Sequence, residues 1–456
     1  MRLVWILASL GFALVVFAQQ AQPPTPTFAP TPGQEAPTGF DNQSNGYIGG
    51  AEHKVNLAEF DAVEGIADGL GPLYNAQSCR ECHQNPVSGA ASQITELRVG
   101  HRGPGGAFQN PQIPIAHGTE TISGRSLVND RAICPNGAFP DTEIQERAPE
   151  TETIRTLRIS LNVLGDGFVE AVPDQTLVSL AKQQCASTQG KICGYVQTVP
   201  VVEAPGETRV GRFGWKNQHG SLLSFAADAY LNEMGVTSRL QPDEVTTLCN
   251  TAAEPNSPPT TDGSADDIEK FARFMRSTKA PPRDQALAAT PKARRGSNLF
   301  DSIGCATCHT RTLTTAPSGT KINGGMFTIP DAIGGKTFHP FSDFLLHDVG
   351  TGDGILQVAT NATGTMQPSN EHYGRRSSGI RWRNFPALGV DSTQFKLRTP
   401  PLWGVRMRTR LMHDGASVTF GDAIRRHRGE ASDVTARFER LSNGDADALI
   451  EFLRSL

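Results

Sequence analysis

Long apolar runs are what this chain of 456 residues lacks most clearly. A bilayer-spanning helix needs about 20 consecutive apolar residues, and no segment beyond the first twenty offers them, so an uncleaved N-terminal anchor is the one membrane helix the sequence leaves open, as the minor reading of that stretch. Charge of one sign is scarce too: 42 basic against 46 acidic residues leave a formal net charge of −4. That balance gives no electrostatic support to a nucleic-acid role. Of the eight cysteines, two close pairs lack the further Cys or His ligands that a zinc site would need at similar spacing.

Those two pairs are Cys79-Arg80-Glu81-Cys82-His83 and Cys305-Ala306-Thr307-Cys308-His309. Cys-x-x-Cys-His is the attachment pattern of c-type haem. Two thiols add across the porphyrin vinyl groups, and the adjacent histidine reaches the iron from one face. A zinc half-site and a redox dithiol are the competing readings. Two covalently bound haems c, with His83 and His309 as proximal ligands, are the expectation.

The first residues bear on compartment. Met1-Arg2 is followed by an apolar run over residues 3–17 and small residues near Ala18, the pattern of a secretory signal peptide. Residues 1–18 are expected to be removed, leaving a periplasmic protein without stable membrane insertion. Residues 19–39 read as a Pro-rich spacer. The remaining four cysteines, Cys134, Cys185, Cys193 and Cys249, suggest two disulfides in an exported protein. Cys185 with Cys193 is the simplest pairing and leaves Cys134 with Cys249, although two other connectivities stay open.

Residues 40–253 are expected to form an N-terminal haem domain with a large, irregular insertion over 87–149. Residues 254–265 read as a linker, and 266–456 as a C-terminal cytochrome c-like domain. Thr290-Pro291 opens a helix ahead of Cys305, and Gly296 would admit a close helix backbone. Its partner is the C-terminal helix, where Leu449, Phe452, Leu453 and Leu456 form an apolar stripe after a cap at Asp445. The fold is expected to be mainly α, two cytochrome c-like domains with long loops. Residues 371–430 are rich in arginine, including Arg375, Arg376, Arg381, Arg383, Arg398 and Arg408. Buried haem propionates need such cations, and an acidic redox partner could dock on them; a solvated basic surface is the plain alternative.

Several segments together resemble one family. They are Gly69-Leu70-Gly71-Pro72-Leu73-Tyr74-Asn75, Gly211-Arg212-Phe213-Gly214-Trp215-Lys216, Glu233-Met234-Gly235-Val236-Thr237, Phe341 to Gly350, and Arg398-Thr399-Pro400-Pro401-Leu402-Trp403-Gly404. In that order they look like the c-type di-haem oxidoreductases. That group is similar to bacterial di-haem cytochrome c peroxidases and to the di-haem enzyme that matures methylamine dehydrogenase.

The resemblance implies site roles. Thr419 and Asp422 open a helix that places Phe420, Ile424 and His427 on one face. In similar enzymes a Met or Tyr distal ligand occupies the position of His427, so this chain departs toward two imidazoles and a lower potential. Glu233 matches a glutamate over the reactive iron, able to move a proton between peroxide oxygens. Trp215 matches a tryptophan between the haems. His101 resembles a histidine that caps the reactive haem at rest, and His347 and His413 line the haem surroundings. Calcium between the domains is implied without assignable residues. The expected function is peroxidase-like, with an N-terminal reactive haem, a C-terminal relay haem and a small periplasmic electron donor. Two alternatives are an electron-transfer cytochrome with both irons six-coordinate, and oxidation of a protein or thiol substrate.

Overall fold

The computed structural model describes residues 33–251, 253–356 and 393–456. The expected signal peptide, most of the Pro-rich spacer and Arg375, Arg376, Arg381 and Arg383 lie outside them. Among the described residues no helix is long and apolar enough to cross a membrane.

Each haem motif is backed by a set of three helices. For the first, α1 (Gly50–Asp61), α2 (Leu222–Met234) and α3 (Asp267–Ser277) pack together. Asp266 caps α3 by accepting from the Glu269 N–H at 3.0 Å, which satisfies one of the orphan donors of a helix start. Phe60 of α1 lies 4.6 Å from Phe274 of α3 and 6.2 Å from the His83 ring, centroid to centroid. The second set is α4 (Pro291–Ser302), α5 (Phe420–Arg426) and α6 (Asn443–Arg454). Phe300 of α4 lies 5.2 Å from Phe452 of α6 and 6.3 Å from His309. Leu449 and Phe452 are fully buried, each stabilising this contact by roughly 1.5–3 kcal/mol.

Thr290 caps α4 by accepting from Ala293 N–H at 3.1 Å, with Pro291 at the first helical position. A Cβ on Gly296 would collide with the Ala448 carbonyl of α6, so only glycine permits this crossing. The cap of α6 is Ser442, which accepts from the Asp445 N–H at 3.2 Å; Asp445 stands inside the first turn. The α3 helix, assigned from sequence to the C-terminal unit, packs on α1 beside the first haem motif.

The expectation of a mainly α fold is overturned. The described residues are 33% helical and 17% strand, so small sheets hold a real share of the structure. Much of that strand content lies between the first haem motif and Trp215. Its longest strand, β1 (Thr95–Arg102), pairs antiparallel with β2 (Phe108–Gln109). A separate hairpin joins β3 (Gln112–Ile115) to β4 (Glu120–Ser123). The other partners of β1 are β5 (Leu127–Val128) and β6 (Ile154–Ile159), the latter in register from Thr95↔Ile159 to Gly100↔Ile154. Alternation explains the sheet: Leu97 and Val99 join a core with Ile113, Ile115 and Ile122, while Glu96 and Arg98 point to the other face. Strand pairing organises this region.

Disulfides join Cys134 to Cys249 and Cys185 to Cys193. The first ties the insertion to the segment before the 254–265 stretch. The second closes a turn in which Gly190 takes a left-handed φ of 81°.

Candidate functional site

A cavity lies beside the second motif. Cys305, Cys308 and His309 form one side, and Phe420, Ala423, Ile424 and His427 of the α5 region another. Thr419 caps α5 by accepting from Asp422 N–H at 3.1 Å, which fixes where this helix delivers His427. Apolar side chains such as Phe300, Leu402, Val405 and Leu453 complete the lining.

Both histidines are prepared alike. His309 Nδ1 is 2.9 Å from the Phe341 carbonyl, and His427 Nδ1 is 2.8 Å from the Ala423 carbonyl. A carbonyl only accepts, so each Nδ1 carries the proton and each Nε2 keeps a lone pair. Burial pushes His309 down to about 4 and lowers His427 as well. Neutral imidazoles whose other ring nitrogen donates to a carbonyl are the usual form of a metal-ligating pair.

His347 is a different kind of group. Its Nε2 is 3.0 Å from Asp343 and its Nδ1 2.9 Å from Glu430. Burial works against its charge, yet Asp343 and Cys308 outweigh burial and hold it well above the ordinary histidine range. Both ring nitrogens are spent on carboxylates. Cys308, Asp343 and His347 approach one another closely, but this imidazolium has no lone pair for a metal.

The first motif begins with Ser78, whose hydroxyl caps the turn of Cys79–Cys82. His83 is half-buried; desolvation pushes it down to about 4, against the backbone of Ala90 and Leu161, and its Nδ1 has no hydrogen-bond partner of good geometry. Glu233 is brought here by the end of α2. Its carbonyl accepts from Asn75 and Ala76 N–H at 2.7 and 3.0 Å, and Gly235 ends the helix with a φ of 69°. A Cβ on Gly235 would meet the Leu73 carbonyl, so two of the resemblance-bearing segments dock through that glycine.

Glu233 does not stand alone. Asn75 Nδ2 donates to its carboxyl at 3.1 Å, and Glu96 of β1 shares a side-chain hydrogen bond with it. Burial, then Glu96, raises Glu233 well above the carboxylate range. Burial also opposes ionisation of Glu96, but Arg98, donating at 2.7 Å, keeps it low. The pair therefore shares one proton, which Glu233 binds more tightly than Glu96, and it stands near Cys82, whose thiol is raised chiefly by burial and further by the negative charge around it. Glu96 carries no motif; only the strand alternation around it could have pointed to this face.

Trp215 and Glu233 are brought to different haem motifs. Trp215 lines the second cavity, donates Nε1–H to the Ile159 carbonyl at 2.8 Å and meets His413 edge-on at 6.1 Å. His101 lines neither this cavity nor the cleft beside His83, and its Nδ1 bonds Glu152 at 2.8 Å. A smaller cleft beside His83 is lined by Asn85, Ala90, Leu161, Trp403 and Arg408. Pro401 and Arg408 border both spaces, so this segment separates the two motifs.

The residues present fit haem. Burial pushes the Cys79 and Cys305 thiols up to about 12, which is unlike a redox dithiol or zinc thiolate. Burial alone pushes Arg408 down to about 10, and Arg398 falls to about 10 with Asp166 opposing. Arg398 Nε is buried without a partner. Cations so placed suit the propionates of a porphyrin. Calcium is not served in this way: the cluster formed by Cys308, Asp343 and His347 offers sulfur and nitrogen, whereas calcium takes six to eight oxygens.

No match to the curated proteins is found. Among solved structures, hydrazine synthase from Kuenenia stuttgartiensis is 14% identical with a TM-score of 0.38, covering 98% of this chain and 100% of that one. A variant of the diheme peroxidase BthA from Burkholderia thailandensis is 19% identical with a TM-score of 0.22, covering 41% of this chain and 49% of that one. A family model described as "Di-haem oxidoreductase, putative peroxidase" matches residues 138–456. That range holds the second motif, Trp215, Glu233 and His427, and it begins after Cys79–His83. It spans well over half of the chain, and the chain belongs to the di-haem oxidoreductase family.

Proposed function

We propose that this chain is an exported, periplasmic di-haem c enzyme of the peroxidase type. Cys79 and Cys82, and Cys305 and Cys308, hold the two haems as thioethers, with His83 and His309 as proximal ligands. His427 supplies the sixth ligand at the C-terminal haem, which stores and relays electrons. The N-terminal haem is the reactive one and, when bound, supplies the iron at which peroxide is reduced.

The chain's own groups divide the remaining work. Glu233 holds the proton shared with Glu96 and delivers it to the departing peroxide oxygen; general acid help of this kind is worth about 10²–10⁴ in rate. Asn75 orients the Glu233 carboxyl, and Arg98 keeps Glu96 ionised as its counterpart. Trp215 offers an aromatic path at the C-terminal cavity, and Arg398 and Arg408 hold propionates. A small periplasmic protein is the electron donor.

One observation carries this reading: the asymmetry of the two sites. Two imidazole lone pairs enter the C-terminal cavity, while a proton-bearing acid pair stands beside Cys82. His101, the candidate for a permanent sixth ligand of the first haem, lines neither the cavity at the second motif nor the cleft beside His83, which favours an enzyme over a plain electron carrier. The test is turnover of holoprotein made in an export-competent, haem-maturing host. The expected result is a mass with two porphyrin additions and peroxide-dependent oxidation of a reduced small cytochrome c. Fully loaded protein that leaves peroxide unconsumed contradicts the proposal.

A further inference from the structure

Lys216 directly follows Trp215 and is 1% exposed. Its Nζ lies 2.9 Å from Asp353 Oδ1 and donates to the carbonyls of Thr393, Gln394 and Lys396 at 3.1, 2.9 and 2.8 Å. Asp353 also accepts from Arg158 Nε at 2.8 Å. Four oxygens from two chain segments thus converge on one buried cation. From this geometry we infer that the Lys216 ammonium is a built-in replacement for a metal ion, so that the holoprotein needs no calcium at the junction behind Trp215.

The distances decide between the two cations. Contacts of 2.8–3.1 Å are N–H···O lengths, whereas calcium sits about 2.3–2.6 Å from its ligands. Four oxygens also fall short of the six to eight that calcium gathers. The one carboxylate already serves two cations, and a divalent ion would leave a buried excess of positive charge. Burial pushes Lys216 down to about 8, with Asp353 opposing, so the ammonium stays charged at neutral pH. Unlike a bound ion, it cannot be chelated away.

The place gives the cage its consequence. Trp215 and His413 both line the C-terminal cavity, and Trp215 N–H and C=O groups are fixed to Ile159 and Arg398. A tethered cation one residue away anchors that wall to residues 353 and 393–396. This holds whichever oxidant the haems meet, so it stands apart from the peroxidase proposal.

The experiment has two arms. Holoprotein is treated with EGTA and analysed for metals, optical spectrum and thermal midpoint. The expected result is no stoichiometric calcium and no change in either readout; one retained calcium per chain whose removal shifts either quantity overturns the inference. In the second arm Lys216→Ala is compared with the wild-type protein, with and without added methylammonium. The variant is expected to lose thermal stability and regain part of it with methylammonium, a response the wild type lacks. A variant with a wild-type midpoint, or one destabilised but indifferent to the cation, overturns the inference. If the variant does not fold, the chelation arm decides.

Discussion

His309 and His427 are held in the same tautomer by two backbone carbonyls, Phe341 at 2.9 Å and Ala423 at 2.8 Å, and both line one apolar cavity. The arrangement fits a low-spin, two-imidazole haem. His427→Ala is expected to convert the C-terminal haem to a high-spin form, read by its optical spectrum. His427→Met is expected to keep it six-coordinate and raise its potential, read by redox titration.

Glu233→Gln keeps the shape of the carboxyl but carries no transferable proton. Peroxide turnover is expected to fall by about 10²–10⁴, with haem content and the C-terminal spectrum unchanged. Glu96→Gln leaves Glu233 in place and is expected to cost less. Equal turnover in Glu233→Gln and the wild type would remove the acid from the mechanism.

Gly296→Ala places a methyl group against the Ala448 carbonyl at the crossing of α4 and α6. Overpacking of this kind costs about 1–3 kcal/mol. Calorimetry is expected to show a lower midpoint, and Phe300 should lose its fixed contact with His309.

Glu64 is 6% exposed, and its carboxyl accepts from Tyr230 Oη at 3.2 Å. Burial chiefly pushes it up to about 7 from 4.5, with the Tyr230 hydroxyl opposing. An acid that binds its proton more tightly when folded favours the folded state at low pH. Its contribution is lost as pH rises from 4.5 through about 7. Glu64→Gln is therefore expected to gain about 1–3 kcal/mol on the wild type across that window. Denaturant unfolding at pH 5 and pH 8 measures the difference.

Local chemistry was legible in the sequence wherever one or two residues set it. Thr290-Pro291, Gly296 and Thr419 each act through contacts that a short segment specifies, and all three do so in the structure. The disulfide pairing suggested by the closeness of Cys185 and Cys193 is the one formed. The sheet around β1 was not legible, because its partners are two-residue strands and a strand some 55 positions away whose pairing leaves no local period. The same long reach hid Glu96, which meets Glu233 only through that sheet. The cap of α6 shifted from Asp445 to Ser442 because serine and aspartate three apart both suit a helix start. The packing of α3 on α1 was hidden because a Pro- and Ser-rich stretch precedes α3 and reads as a boundary.

The two irons are expected to be unlike, one closed by His427 and one open to an outside molecule. Electron paramagnetic resonance on the holoprotein, before and after one-electron reduction and then with peroxide, tests this directly. The expected result is one low-spin two-imidazole haem at the start and, after one electron, a high-spin haem whose signal changes when peroxide is added. Two low-spin haems that neither reduction nor peroxide alters would contradict it.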